Sequence, residues 1–234
     1  MIISPNRQFV FIHLHKCAGT SIEMALAGAL GINDIVVGST PDGERLQGFF
    51  GDVLGLRKHA SAAQVMALLG EERWAQFFTF AFVRHPERRM RSLYSYALKL
   101  ARGKPLSAAE QAALDAGKGY PARPPFRFKA VQAAHESPSF EDFLRHPLTW
   151  EDPGARSQSS GLCDAQGRLL VQFVGKVEQI EQDWKRVEER LSVRLALPLA
   201  NTSRPADEEP LSDAARALLI ERAGEDFERF GYEA

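Results

Sequence analysis

The sequence predicts an α/β fold, a single domain over 1–234 with a central, mainly parallel sheet flanked by helices. Three observations predict it. Near-continuous apolar runs recur at FVFIHL (9–14), FFTFAFV (77–83) and RLLVQFVG (168–175), as expected of strands buried on both faces of a parallel sheet. Stretches with apolar residues at helical spacing separate them. The chain has 234 residues, 44% hydrophobic and 25% charged, enough for one α/β domain and ordinary for a globular protein.

The elements follow in order. After the first apolar run, Ile22, Ala25, Leu26, Ala29 and Leu30 keep helical spacing from Ser21, and Gly31 is the expected stop. DIVV (34–37) reads as a short strand, and 38–58, rich in Gly and polar residues, reads as loop. SAAQVMALLG (61–70) reads as a helix with Ser61 as N-cap and Gly70 as stop. The second apolar run ends at Arg84, with Pro86 where a first helical residue belongs. Met90, Leu93, Tyr94, Ala97 and Leu98 then form an apolar helical stripe. The segment 103–126, with GKP and GKGYPARPP, reads as a loop able to cover a site. Short helices are expected over 126–135 and 139–145, an amphipathic helix over 178–191, and a closing helix after the ANTSRPADEEP loop.

Composition excludes several functions. Lys and Arg number 29 against 30 Asp and Glu, a net charge of -1. No global polycation is present for nucleic acid, so any anion site is local. No apolar stretch reaches the roughly 20 residues of a membrane span. The start, MIISPNRQFVFIHLHK, has too short an apolar run for a signal peptide, so a cytoplasmic location is expected. Cys17 and Cys163 do not suggest a disulfide framework.

The stretch FIHLHKCAGTSIE (11–23) carries the chemistry. A buried strand, a lysine, small residues and two hydroxyls lead into a helix. The helix start offers unpaired N–H groups and a positive dipole end, and small residues let an anion approach. The alternative is a tight turn whose lysine points to water. The order K-x-A-G-T-S is not the Walker A pattern, whose lysine follows the glycine. It is not a cysteine phosphatase loop either, because Glu23 stands where that loop has arginine. The second strand ends in Arg84, where a kinase or ATPase usually has a metal-holding aspartate. A second anion is favoured there over a metal. Most of the arginines at 84, 88, 89 and 91 are expected on a solvated helix face.

HKCAGTSIE resembles the 5′-phosphosulfate-binding loop of sulfotransferases, and FAFVRHPERRMRSLY resembles their 3′-phosphate-binding segment. KHASAAQVMALLGEERWAQFFTFAFVR, LLVQFVGKVEQIEQDW and DFERFGYE resemble further segments of the bacterial and carbohydrate-type members. The resemblance implies a P-loop-like three-layer fold. It implies 3′-phosphoadenosine 5′-phosphosulfate (PAPS) as donor, adenosine 3′,5′-bisphosphate as product, a hydroxyl or amine acceptor and no metal. It implies that Lys16 is catalytic and binds the phosphosulfate with Ala18, Gly19, Thr20 and Ser21. Arg84 and Ser92 take the 3′-phosphate, and Ser203 and Arg204 lie in a loop closing on the nucleotide. His59 stands where related enzymes carry a catalytic histidine, and Arg156 and Gln158 match positions near the acceptor. A histidine suits the work of a base at neutral pH. Glu23 and Glu178 are rival carboxylates, Glu23 the weaker because it sits a turn past the loop. His15 replaces the family's usual proline, Cys17 its threonine and His85 its asparagine or aspartate. Cys17 in an anion loop is a candidate for a lowered pKa and redox sensitivity. The acceptor is open among sugars, lipids, peptides and small alcohols. A groove with Arg123, Arg127 and Lys129 is one place for an anionic glycan. The rival functions are a P-loop-type kinase and a non-catalytic nucleotide-binding protein.

Overall fold

A computed structural model describes residues 1–198 and 209–234. In chain order, the elements are β1 (Ile2–Ser4), β2 (Phe9–Ile12), α1 (Gly19–Ala27), β3 (Ile35–Val36), α2 (Pro41–Leu54), α3 (Ala62–Leu69), α4 (Glu71–Gln76) and β4 (Phe78–Val83). There follow α5 (Pro86–Gly103), α6 (Ala108–Asp115), α7 (Lys129–Glu136), α8 (Phe140–Arg145), α9 (Pro147–Glu151), α10 (Gln158–Leu162), β5 (Phe173–Lys176), α11 (Ile180–Leu191) and α12 (Asp213–Phe230). The chain divides into two compact units. The first comprises residues 1–85 and the chain from 157 to 198; the second comprises 86–156 and the chain from 209 onward.

The first unit holds a five-stranded sheet in the order β3-β1-β2-β4-β5. β2, β4 and β5 pair in parallel, and β1 is antiparallel to both β2 and β3, so only β1 runs against the rest. The sheet is held by aromatic packing. Phe80 lies against Phe9, Phe11 and Phe78, with ring centroids 5.9, 5.2 and 5.2 Å away. Phe9, Phe11 and Phe80 are fully buried, each worth roughly 1.5–3 kcal/mol of transfer free energy. α1 and α11 complete this core through Ile22, Leu26, Trp184 and Val187. The turn from β5 into α11 is closed by Asp183, which accepts from the Lys176 backbone N–H at 2.7 Å. α10 packs on α3.

The second unit is helical. Its core joins Met90, Leu93, Ala97 and Ala101 of α5 to α7, α8 and α12. Arg89 is buried in it, which corrects its expected place on a solvated face. Its guanidinium donates to the carbonyls of Gly154 (2.9 Å), Ala155 (3.2 Å) and Arg156 (2.8 Å). Arg91 bonds Glu87 at 2.8 Å, and Arg88 is exposed.

Several sequence expectations are corrected. The stretch 38–58 contains α2: the Thr40 side chain caps Gly43 N–H at 3.0 Å, Pro41 is the first helical residue, and Asp42 and Glu44 meet the dipole. Residues 103–126 contain α6, opened by a capping box between Ser107 and Glu110. The first helix begins at Gly19 and ends at Ala27, short of Gly31. The third strand is confined to 173–176. Before it, Leu169 bridges Cys163, and the Gln172 N–H bonds Thr79 of β4 just ahead of the paired stretch.

Candidate active site

The end of β2 delivers residues 13–18 to the N-terminus of α1. Lys16 and Ala18 are in the left-handed region, at φ 64° and 59°, and Cys17 between them is not. For residues with a Cβ this conformation costs on the order of 1 kcal/mol each and is held by the surroundings. Ala18 is the N-cap, and among the described residues no side-chain cap bond closes the start of α1. Left-handed turns before a helix start make an anion-binding concavity. Gly19 is required sterically: a Cβ there would stand 2.2 Å from the Nε2 and Cδ2 atoms of His13. Ser21 is buried, and exposed Thr20 accepts a hydrogen bond from the Ser39 hydroxyl at 3.1 Å.

Three histidines stand together. The His59 ring is stacked on His15 with centroids 3.5 Å apart and lies edge-on to His13 at 4.7 Å. His59 Nδ1 is 2.9 Å from the His13 carbonyl oxygen. A carbonyl only accepts, so Nδ1 carries the proton and Nε2 keeps its lone pair. Burial lowers the His59 pKa to about 2, the charges of His13 and His15 push the same way, and the bond to the carbonyl opposes them. His59 is therefore a neutral imidazole through the physiological range.

Below the loop lies Glu23, fully buried. Its Oε1 accepts from His13 Nδ1 at 2.7 Å and from the Met1 ammonium, and its Oε2 accepts from Ser39 N–H at 3.0 Å. Burial by itself would raise the Glu23 pKa. The hydrogen bond and charge of His13, with the Met1 ammonium, outweigh it and keep the carboxyl ionised. Burial lowers His13 to about 4 against the pull of Glu23. Sequence reasoning set Glu23 aside; the signal available was its place one helical turn beyond Gly19.

On the far side of the loop, Gln158 is buried. Its Nε2 donates to the Arg84 carbonyl at 2.9 Å, and its Oε1 accepts from Arg84 N–H at 2.7 Å and from Cys17 Sγ at 3.2 Å. It thereby ties the end of β4 to the anion loop, rather than presenting a free amide to an acceptor. Cys17 is buried, and its Sγ also lies 3.4 Å from the His15 carbonyl oxygen. Glu178 accepts from the His85 backbone N–H at 2.9 Å.

The first unit thus brings together the 16–21 loop, His59, Gln158 and the Arg84 backbone. Ser92, on α5, is half-buried and Arg156 is exposed; both belong to the second unit. Ser203 and Arg204 lie outside the described residues. Among the described residues, no group of three or more His, Cys, Asp or Glu is placed to hold a metal ion, and no helix is long and apolar enough to cross a membrane. No curated protein and no solved structure matches the chain significantly. The family model described as "Sulfotransferase family" matches residues 1–233, and the chain belongs to the sulfotransferase family.

Proposed function

We propose that the protein transfers a sulfuryl group from PAPS to a hydroxyl or amine of an acceptor, without a metal, on a P-loop-like scaffold. The observation that carries this reading is the loop itself. Two left-handed residues lead into a helix start whose N-cap makes no side-chain bond, and a neutral histidine is stacked on His15 beside them. Lys16 and the N–H groups of residues 18–21 hold the 5′-phosphosulfate, and Arg84 holds the 3′-phosphate. The acceptor oxygen attacks sulfur in line with the bond to the 5′-phosphate. His59 Nε2 takes the acceptor proton as the new S–O bond forms. The old S–O bond breaks, and its electron pair leaves on the phosphate of adenosine 3′,5′-bisphosphate. Lys16 and the loop amides stabilise that charge, the donor-type stabilisation worth about 2.7–4 kcal/mol per group in acyl transfer.

The test is calorimetric titration with adenosine 3′,5′-bisphosphate, ATP and 5′-AMP, without magnesium, on wild type, Lys16→Ala and Arg84→Ala. Preferential binding of the bisphosphate, weakened in both variants, is expected. Equal or tighter ATP binding, or indifference to Arg84→Ala, would overturn the reading. Radiolabelled PAPS with a panel of sugars, lipids, peptides and small alcohols then identifies the acceptor.

A further inference from the structure

We infer that Glu23 and His13 are positioning residues that set the donor loop and the base together. Their geometry gives them this part, which rests on the sulfotransfer reading only for its effect on donor-nucleotide binding.

Glu23 is on α1, yet it bonds three segments outside that helix: Met1 before β1, His13 at the exit of β2 and Ser39 in the turn before α2. Ser39 in turn bonds Thr20 of the loop. Because the carboxylate accepts from Nδ1, the His13 proton sits there and the ring cannot rotate. The ring edge bearing Nε2 and Cδ2 then fills the space beside Gly19. The same residue's carbonyl takes the Nδ1 proton of His59. His13 therefore touches both halves of the chemistry, with its ring under the anion loop and its backbone on the base. His15 adds the third constraint, since its ring covers one face of His59. The charged and titratable groups around these histidines are Glu23, Lys58 and the Met1 amine, whose pKa burial lowers to about 6.

Glu23→Gln is nearly isosteric and breaks this arrangement. An amide can accept from His13 and Met1 or from Ser39, and its NH2 group then confronts the donors on the other side. A displacement of about 1 Å at a reacting group can cost 10²-fold in rate. His13→Asn separates the two arms. Its amide can still donate to Glu23 and its backbone carbonyl still takes His59, but the ring under Gly19 is gone.

The experiment combines calorimetry with adenosine 3′,5′-bisphosphate and NMR of the histidine rings, with 15N shifts giving tautomers and Cε1–H shifts followed from pH 5 to 8. In wild type, His13 and His59 are expected as Nδ1–H tautomers that do not titrate in that range. In folded Glu23→Gln the bisphosphate Kd rises at least tenfold and His59 begins to titrate. In His13→Asn the Kd rises while His59 keeps its Nδ1–H tautomer. A folded Glu23→Gln with wild-type Kd and wild-type His59 signals overturns the inference. If that variant does not fold, an Nε2–H tautomer for wild-type His13, or a wild-type Kd in His13→Asn, overturns it. If wild type binds no bisphosphate, the sulfotransfer reading falls, and the His59 signals in Glu23→Gln still decide the positioning role.

Discussion

Gly19→Ala is the sharpest perturbation of the loop. The added Cβ would lie 2.2 Å from His13 Nε2 and Cδ2 and 2.6 Å from Cγ. Carbon atoms rest at about 3.5 Å or more, so ring and loop must separate by roughly 1.3 Å. The ring has nowhere to go: it is 4% exposed, held by Glu23 at 2.7 Å and faced by His59 at 4.7 Å. The loop moves instead. Overpacking of this kind costs about 1–3 kcal/mol of stability. Lengthened bonds to a bound anion forfeit part of the roughly 1.5–3 kcal/mol each such bond supplies. A loss of about 2 kcal/mol is roughly 30-fold in Kd. Urea denaturation and titration with adenosine 3′,5′-bisphosphate read the two effects. The double variant His13→Ala/Gly19→Ala, which vacates the ring's space, should recover at least about 0.5 kcal/mol by double-mutant cycle. If Gly19→Ala keeps stability within about 0.5 kcal/mol and Kd within about twofold, the ring does not fill that space.

Other consequences are open to measurement. Gln158→Ala removes both bonds to the Arg84 backbone and should lower stability by about 2 kcal/mol and weaken bisphosphate binding, whereas a residue touching only acceptor would leave binding unchanged. Arg89→Ala should cost about 3 kcal/mol in urea denaturation, because three carbonyls lose a charged donor. Stability should rise with pH between about 4.5 and 6. There the unfolded chain protonates histidines whose folded pKa values burial holds at about 4 (His13) and about 2 (His59), so the unfolded state binds more protons. Each contributes a slope of up to about 1.4 kcal/mol per pH unit, and His59→Asn should remove one of them. Cys17 should resist iodoacetamide in the native protein and react on unfolding; rapid native labelling would contradict its burial.

What could be read from the sequence followed physical lines. β2, β4 and α5 were legible because a long apolar run has to be buried on all sides, and an apolar stripe at helical spacing has to face a core. α2 was missed because its glycines at 43, 48 and 51 outweighed a sound start at Thr40-Pro41, and its apolar residues Leu46, Phe49 and Val53 remain exposed, so no core contact advertises them. The stretch 168–172 looks like strand by composition, but Leu169 bridges Cys163 and the pairing with β4 begins only at Phe173. At the candidate site, residue type and place singled out Lys16 and His59. Glu23 was not singled out, because its worth lies in partners 10 and 16 residues away that periodicity does not pair.

The Gln158 amide bonds Cys17 across 141 residues and Arg84 across 74. Contacts this distant carry loop-closure entropy that must be met before they stabilise anything. During synthesis, the loop and β4 leave the ribosome long before the residue that ties them together, and the whole 86–156 segment is made in between. The tie between the 16–21 loop and β4 can therefore close only after residue 158 has been made. A nascent chain released before residue 158 would carry Lys16 and His59 without the tie between Cys17 and Arg84.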